Sequence, residues 1–147
     1  MKPGLSADIL AAIDTLHRGD VDRARAELEA IWARVDPDDR FHRCVVAHYL
    51  ADAQEDAGEQ LRYDVLALAA ARGATAAEFA DRFPGVTLGG FLPSLHLNLA
   101  ASYERVGELT LARMHAHEAA EAAARLPPTD LGELTRKAIE RLARRLG

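Results

Sequence analysis

Gly19, Gly58 and Gly107 each interrupt an amphipathic stretch, and each is followed at once by an acidic residue: Asp20, Glu59 and Glu108. Aligned on these glycines, Ala12, Ala51 and Ala100 fall seven positions before, Ala24, Tyr63 and Ala112 five after, and Ile31, Ala70 and Ala119 twelve after. Small residues at fixed places let two helix axes approach closely, and a glycine between them permits a tight turn. A recurrent helix–turn–helix unit of this kind is the mark of a stacked repeat. The chain is therefore expected to fold as one all-α domain over residues 1–147.

Composition agrees. Alanine is the commonest residue, β-branched residues are scarce and aromatics make up 5%, so helices built on Leu, Ile and Ala are expected. Helix punctuation places a first helix from Ser6, its cap, to His17, and a second from Asp20 to Val35, stopped by Pro37. A third runs from Asp39 to Ala57 and a fourth from Glu59 to Arg72, separated by Gly58. The capping-box spacing of Thr75 and Glu78 predicts a short helix to Arg82. Pro84-Gly85, Gly89-Gly90 and Pro93 read as an irregular insertion over 74–93. Further helices are expected over 94–106, 108–126 and 130–146, the last with Asp130 and Glu133 at capping-box spacing.

The glycine-centred pattern resembles the tetratricopeptide repeat family. The third copy carries Leu99-Ala100, Tyr103, Gly107, Ala112, Ala116, Ala119 and Pro127; the first keeps Ala12, Gly19, Ala24, Leu28, Ile31 and Pro37. The second departs from it, with Gln54 where the family favours tyrosine and Tyr63 where it favours alanine. The glycines lie 39 and 49 residues apart rather than at the family's spacing, with the excess around 36–40 and 74–93. The resemblance implies a right-handed α-solenoid of three helix pairs (5–37, 39–73 and 94–126) with a capping helix at 130–146. It also implies a concave groove that binds peptides or proteins, and no catalytic residues.

The charge is −5, which argues against a protein that coats nucleic acid or an anionic membrane. No apolar run approaches 18 residues, so no membrane span is expected. The N-terminus lacks an apolar signal core, and a cytoplasmic location is expected. One cysteine, Cys44, excludes an internal disulfide framework.

Chemistry-bearing motifs are weak. Cys44, His48 and Asp52 share a helical face at i,i+4 spacing, but packing explains Cys44 and a groove or interface explains His48, so no metal is expected. His115 and His117 project apart, and His117 with Glu121 forms an ordinary helical pair. Asp36, Asp38 and Asp39 read as an acidic helix start rather than a calcium loop. Gly85–Gly90 lacks phosphate-loop spacing, no Gly-x-Ser-x-Gly elbow exists, and no histidine has a clear serine or cysteine partner. No cofactor and no enzyme activity are expected. Residues 136–147 carry five basic groups and one acidic; Leu134, Ile139, Leu142 and Leu146 are expected to cap the stack, with the arginines facing water.

With the implied register, the groove is lined by Ser6, Leu10, Ile13 and His17, by Val45, Tyr49, Asp52 and Asp56, and by Ser94, Asn98, Ala101 and Arg105. His48 borders it. An apolar first copy beside Asp52 and Asp56 favours an apolar or basic protein segment as partner. A self-associating subunit, a homodimer using apolar faces around Phe79 and Phe83, is the second reading. A small helical enzyme or metal-binding protein is the third.

Overall fold

The computed structural model describes residues 4–79, 87–126 and 130–147, the side chains of 130–132 excepted. Among these residues lie eight helices and no strand: α1 (Leu5–His17), α2 (Val21–Arg34), α3 (Arg40–Asp52), α4 (Ala57–Gly73), α5 (Ala76–Phe79), α6 (Leu88–Arg105), α7 (Leu109–Ala123) and α8 (Asp130–Leu146). Each long helix packs on its successor in the pairs α1–α2, α3–α4, α6–α7 and α7–α8. Further packing links α2 to α3, α1 to α3, α4 to α6 and α6 to α8. No described helix is long and apolar enough to cross a membrane.

Two of the three turns are built alike. Gly19 and Gly107 have φ of +90° and +86°, the left-handed region that favours glycine. After α1, the Gly19 N–H donates to the Leu16 carbonyl and the Asp20 N–H to the Thr15 carbonyl. After α6, Gly107 donates to Glu104 and Glu108 to Tyr103. This crossed pair of bonds satisfies carbonyls that a helix end would otherwise orphan.

The middle pair turns differently, which corrects the expected boundary at Gly58. α3 ends at Asp52, and Gly58 lies inside the first turn of α4. The Ala53 N–H closes on the Tyr49 and Leu50 carbonyls, and the Gln54 side-chain amide donates to the Leu50 carbonyl at 3.0 Å. The Asp56 carboxylate then accepts from the Glu59 N–H at 2.9 Å and starts α4. A side chain and an aspartate cap replace the glycine turn.

Three other boundaries differ from the sequence reading. Ser6 does not cap α1; Gly4 occupies that place without a side-chain bond. α6 begins at Leu88, because the Thr87 hydroxyl accepts from the Gly90 N–H at 3.0 Å, so Gly89, Gly90 and Pro93 are helical rather than part of an irregular insertion. Pro93 gives up one helical bond but is buried. The Thr75–Glu78 capping box forms in both directions, at 3.3 and 3.1 Å. The expected end of its helix at Arg82 falls outside the described residues, as do Phe83 and Pro84-Gly85.

The main core surrounds α3, whose Phe41, Cys44, Val46, Ala47, Leu50 and Ala51 have at most 1% exposure. Phe79 is fully buried with its ring 5.0 Å from that of Phe41, which removes it from the apolar surface expected to mediate self-association. The last three long helices meet along alanines: Ala100, Ala112 and Ala116 against Leu142 and Leu146, and Ala119 and Ala123 against Ile139. Leu134, expected in this cap, is 65% exposed. Two of the arginines expected to face water also bond to the protein, Arg136 half-buried and Arg145 exposed. Arg136 donates to the Leu126 carbonyl at 2.7 Å, and Arg145 forks onto Glu104.

Candidate functional site

The residues expected to line a groove divide into two groups. His17, Asp52 and Arg105 are each the last residue of their helix, on α1, α3 and α6. The His17 ring meets the edge of Tyr49 with centroids 6.2 Å apart, and Tyr49 meets His48 at 4.9 Å. On its other side His48 meets Phe91 at 4.9 Å, while the Asn98 amide nitrogen lies 3.5 Å from its Nδ1. A continuous strip, His17–Tyr49–His48–Phe91 with Asn98 beside it, therefore crosses α1, α3 and α6. Phe91 was missed from sequence because it fell in the supposed insertion.

The remaining groove residues do other work. Arg105 donates to the Gln60 side-chain oxygen at 2.6 Å and to the Glu55 carbonyl at 3.0 Å, pinning the end of α6 to the α3–α4 turn. Asp56 caps α4. Leu10 is 48% exposed, and Ile13 packs half-buried against the core. Val45 is buried, whereas Ser94 and Ala101 are half-buried.

Electrostatics give the strip its character. Burial pushes His48 down to about 4, so its ring is neutral at physiological pH. Partial desolvation at the end of α3 pushes Asp52 up to about 6, while the nearby His17 pulls it down. Tyr49 is raised by burial and then by the Asp52 charge. On α4, buried Asp64 accepts from the Ser102 hydroxyl of α6 at 2.5 Å. Burial pushes Asp64 up to about 7; the Ser102 bond opposes the rise and the Asp52 charge adds to it. The strip thus joins aromatic faces to a carboxylate, a combination suited to a cation with an apolar stem.

Other histidines lie apart from it. His96 and His115 stack in the buried α6–α7 seam with their Nδ1 atoms 3.1 Å apart, and Tyr103 stacks on His115. Burial lowers both, with the His115 charge next in effect on His96 and the Arg72 charge next on His115. His117 is exposed beside Glu121 at 3.7 Å. Cys44 is buried, its thiol pushed up to about 12 and hence protonated. Among the described residues no group of three or more His, Cys, Asp or Glu is placed to hold a metal ion.

One arrangement overturns a sequence expectation: a histidine does have a serine partner. The Ser6 hydroxyl lies 2.9 Å from His42 Nε2, and Asp39 Oδ2 lies 2.6 Å from His42 Nδ1. Ser6 and His42 are 36 positions apart, so no local motif announces them. Comparison of the chain with protein-family models, curated proteins and solved structures found no match.

Proposed function

We propose that the chain is an interaction module of three tetratricopeptide-like helix pairs, stacked as a right-handed solenoid and closed by α8. It binds an extended protein segment against α1, α3 and α6. The neighbour-to-neighbour packing of the helices and the matching turns at Gly19 and Gly107 support the stacked reading. The observation that carries the binding reading is the strip of His17, Tyr49, His48 and Phe91 running past Asp52. Its partner is a segment with alternating apolar and basic residues: aromatic faces take the apolar stem, and Asp52 takes the charge. Tyr49 is the anchor, since aromatic side chains concentrate binding energy near interface centres. A cytoplasmic protein without cofactor or metal, working by binding rather than catalysis at this strip, fits that reading.

Fluorescence anisotropy with two labelled peptides, one alternating Leu with Arg and the other Leu with Glu, tests this. The basic peptide binds and the acidic one does not. Tyr49→Ala weakens binding by about 2 kcal/mol, a typical hot-spot loss, with little change in melting. Asp52→Lys weakens it most at low salt, where the Debye length is long. Equal binding of both peptides, or affinity indifferent to both substitutions, removes the site from this face.

A further inference from the structure

The opposite end of α1 carries a second arrangement that binding does not use. Ser6 lies in the first turn of α1, Asp39 caps α3, and His42 lies in the first turn of α3. Ser6 Oγ is 2.9 Å from His42 Nε2, and Asp39 Oδ2 is 2.6 Å from His42 Nδ1. We propose that these three residues form an acyl-transfer site that hydrolyses small uncharged esters.

The ring is held in one orientation. Asp39 accepts from the His42 backbone N–H through Oδ1, at 3.2 Å, and faces Nδ1 through Oδ2. The edge of Phe41 meets the imidazole at 5.0 Å, and His42 is 5% exposed. A carboxylate on Nδ1 keeps the neutral ring's proton there, leaving the Nε2 lone pair to accept from the Ser6 hydroxyl. That is the tautomer a general base requires. Ser6 and Asp39 are half-buried, while His42 between them is buried.

In the reaction Ser6 Oγ forms a bond to the ester carbonyl carbon as its proton passes to His42 Nε2. Collapse of the tetrahedral species breaks the carbon–oxygen bond to the alcohol, which leaves with the proton from His42. Water then attacks the acyl-serine, again giving its proton to His42, and the acid departs as Ser6 is regenerated. The donors available to the developing oxyanion are the α1 amides that precede the Asp8 N–H, the first to bond back, to the Gly4 carbonyl. Phe41 is closed off in the core, so the half-buried Leu5 beside Ser6 supplies the apolar surface, which suits small uncharged acyl groups. Ser6 is eleven residues before His17 on α1, roughly 16 Å along the helix, so the site stands or falls separately from the peptide strip.

The test uses the full chain, a fluorophosphonate probe and p-nitrophenyl acetate. The probe labels Ser6, located by peptide mass spectrometry, and ester hydrolysis is lost in Ser6→Ala and His42→Ala. Asp39 acts as a positioning residue, so Asp39→Asn lowers kcat on the order of a hundredfold or more at unchanged KM. Absence of label on Ser6 in the folded wild-type protein overturns the proposal whether or not the variants fold. Hydrolysis by Ser6→Ala at the wild-type rate overturns it equally.

Discussion

The outer two helix pairs and the middle pair solve the same packing problem by different means. α1–α2 and α6–α7 turn on a left-handed glycine, and their second helices bury a matching row: Ala24, Leu28 and Ile31 in one, with Val35 just past its end, and Ala112, Ala116, Ala119 and Ala123 in the other. Across α3–α4 the turn has no such glycine, and α4 buries the carboxyl of Asp64 at its packing face. α3 is covered on nearly every side and carries both buried histidines of its half, His42 and His48. The α1–α2 pair buries a row of small and apolar groups, whereas α6–α7, packed by α4 on one side and α8 on the other, adds the stacked His96 and His115 to its alanine row. The middle pair buries His42, His48 and the Asp64 carboxyl, and the aromatic strip and the Ser6–His42–Asp39 contacts both rest on it.

The largest test of this contrast is electrostatic. Asp64 is raised in the folded chain, so its folded form holds a proton that the unfolded form releases first. Its contribution is fully present below the usual aspartate range and is lost as pH rises toward about 7. His48, lowered to about 4, acts in the opposite sense, costing stability as pH falls below the usual histidine range. Asp64→Asn therefore gains on the order of 2–4 kcal/mol at pH 8 relative to pH 4, when each is compared with wild type. Urea titrations across pH measure this; parallel curves for the two proteins would show that Asp64 is not the desolvated group claimed.

A smaller effect probes the outer pairs. Ala112 has no exposure, whereas Ala122 is half-buried. Ala112→Leu overpacks the seam and costs roughly 1–3 kcal/mol, while Ala122→Leu costs much less. Equal melting shifts would contradict the alanine seam.

The smallest effect is also the sharpest, because its sign changes between pairs. Gly19→Ala and Gly107→Ala each cost about 1–2 kcal/mol, since an L side chain is strained in the left-handed region. Gly58→Ala meets Asp56 Oδ2 at 3.2 Å, a contact that a shift of a few tenths of an ångström relieves with the cap to Glu59 kept, and it removes a helical glycine. It is neutral or stabilising by up to about 1 kcal/mol. Thermal melts of the three variants decide this, and a loss at Gly58 equal to that at Gly19 would restore the three-glycine repeat.

Much of the fold was legible because helices announce themselves locally. The Thr75–Glu78 box, the Asp39 cap, the Gly19 and Gly107 turns and the terminal helix all follow from residues within a few positions of one another. Gly58 misled because a glycine signals a turn by its type, whereas its place in α4 is decided by the Asp56 cap two residues earlier. Pro93 misled in the same way, since a helix start at Thr87 with burial of the ring outweighs one missing bond. Of the strip, His17, Tyr49 and Asn98 were expected from the implied repeat register and His48 from helical spacing, but Phe91 was hidden by the same misreading. The bond from Ser6 to His42 and that from Ser102 to Asp64 join residues 36 and 38 positions apart. Only the packing of α1 on α3 and of α4 on α6 brings them together.

The central claim, that the strip across α1, α3 and α6 receives a basic segment, is tested most directly by NMR. The alternating Leu/Arg peptide is titrated into isotopically labelled protein while backbone amide shifts are followed. The account requires the largest changes at His17, Tyr49, Asp52, Phe91 and Asn98, with α7 and α8 nearly silent. Changes centred on the exposed residues Val106, Leu109 and Met114 would place binding on the other end of the molecule and contradict it.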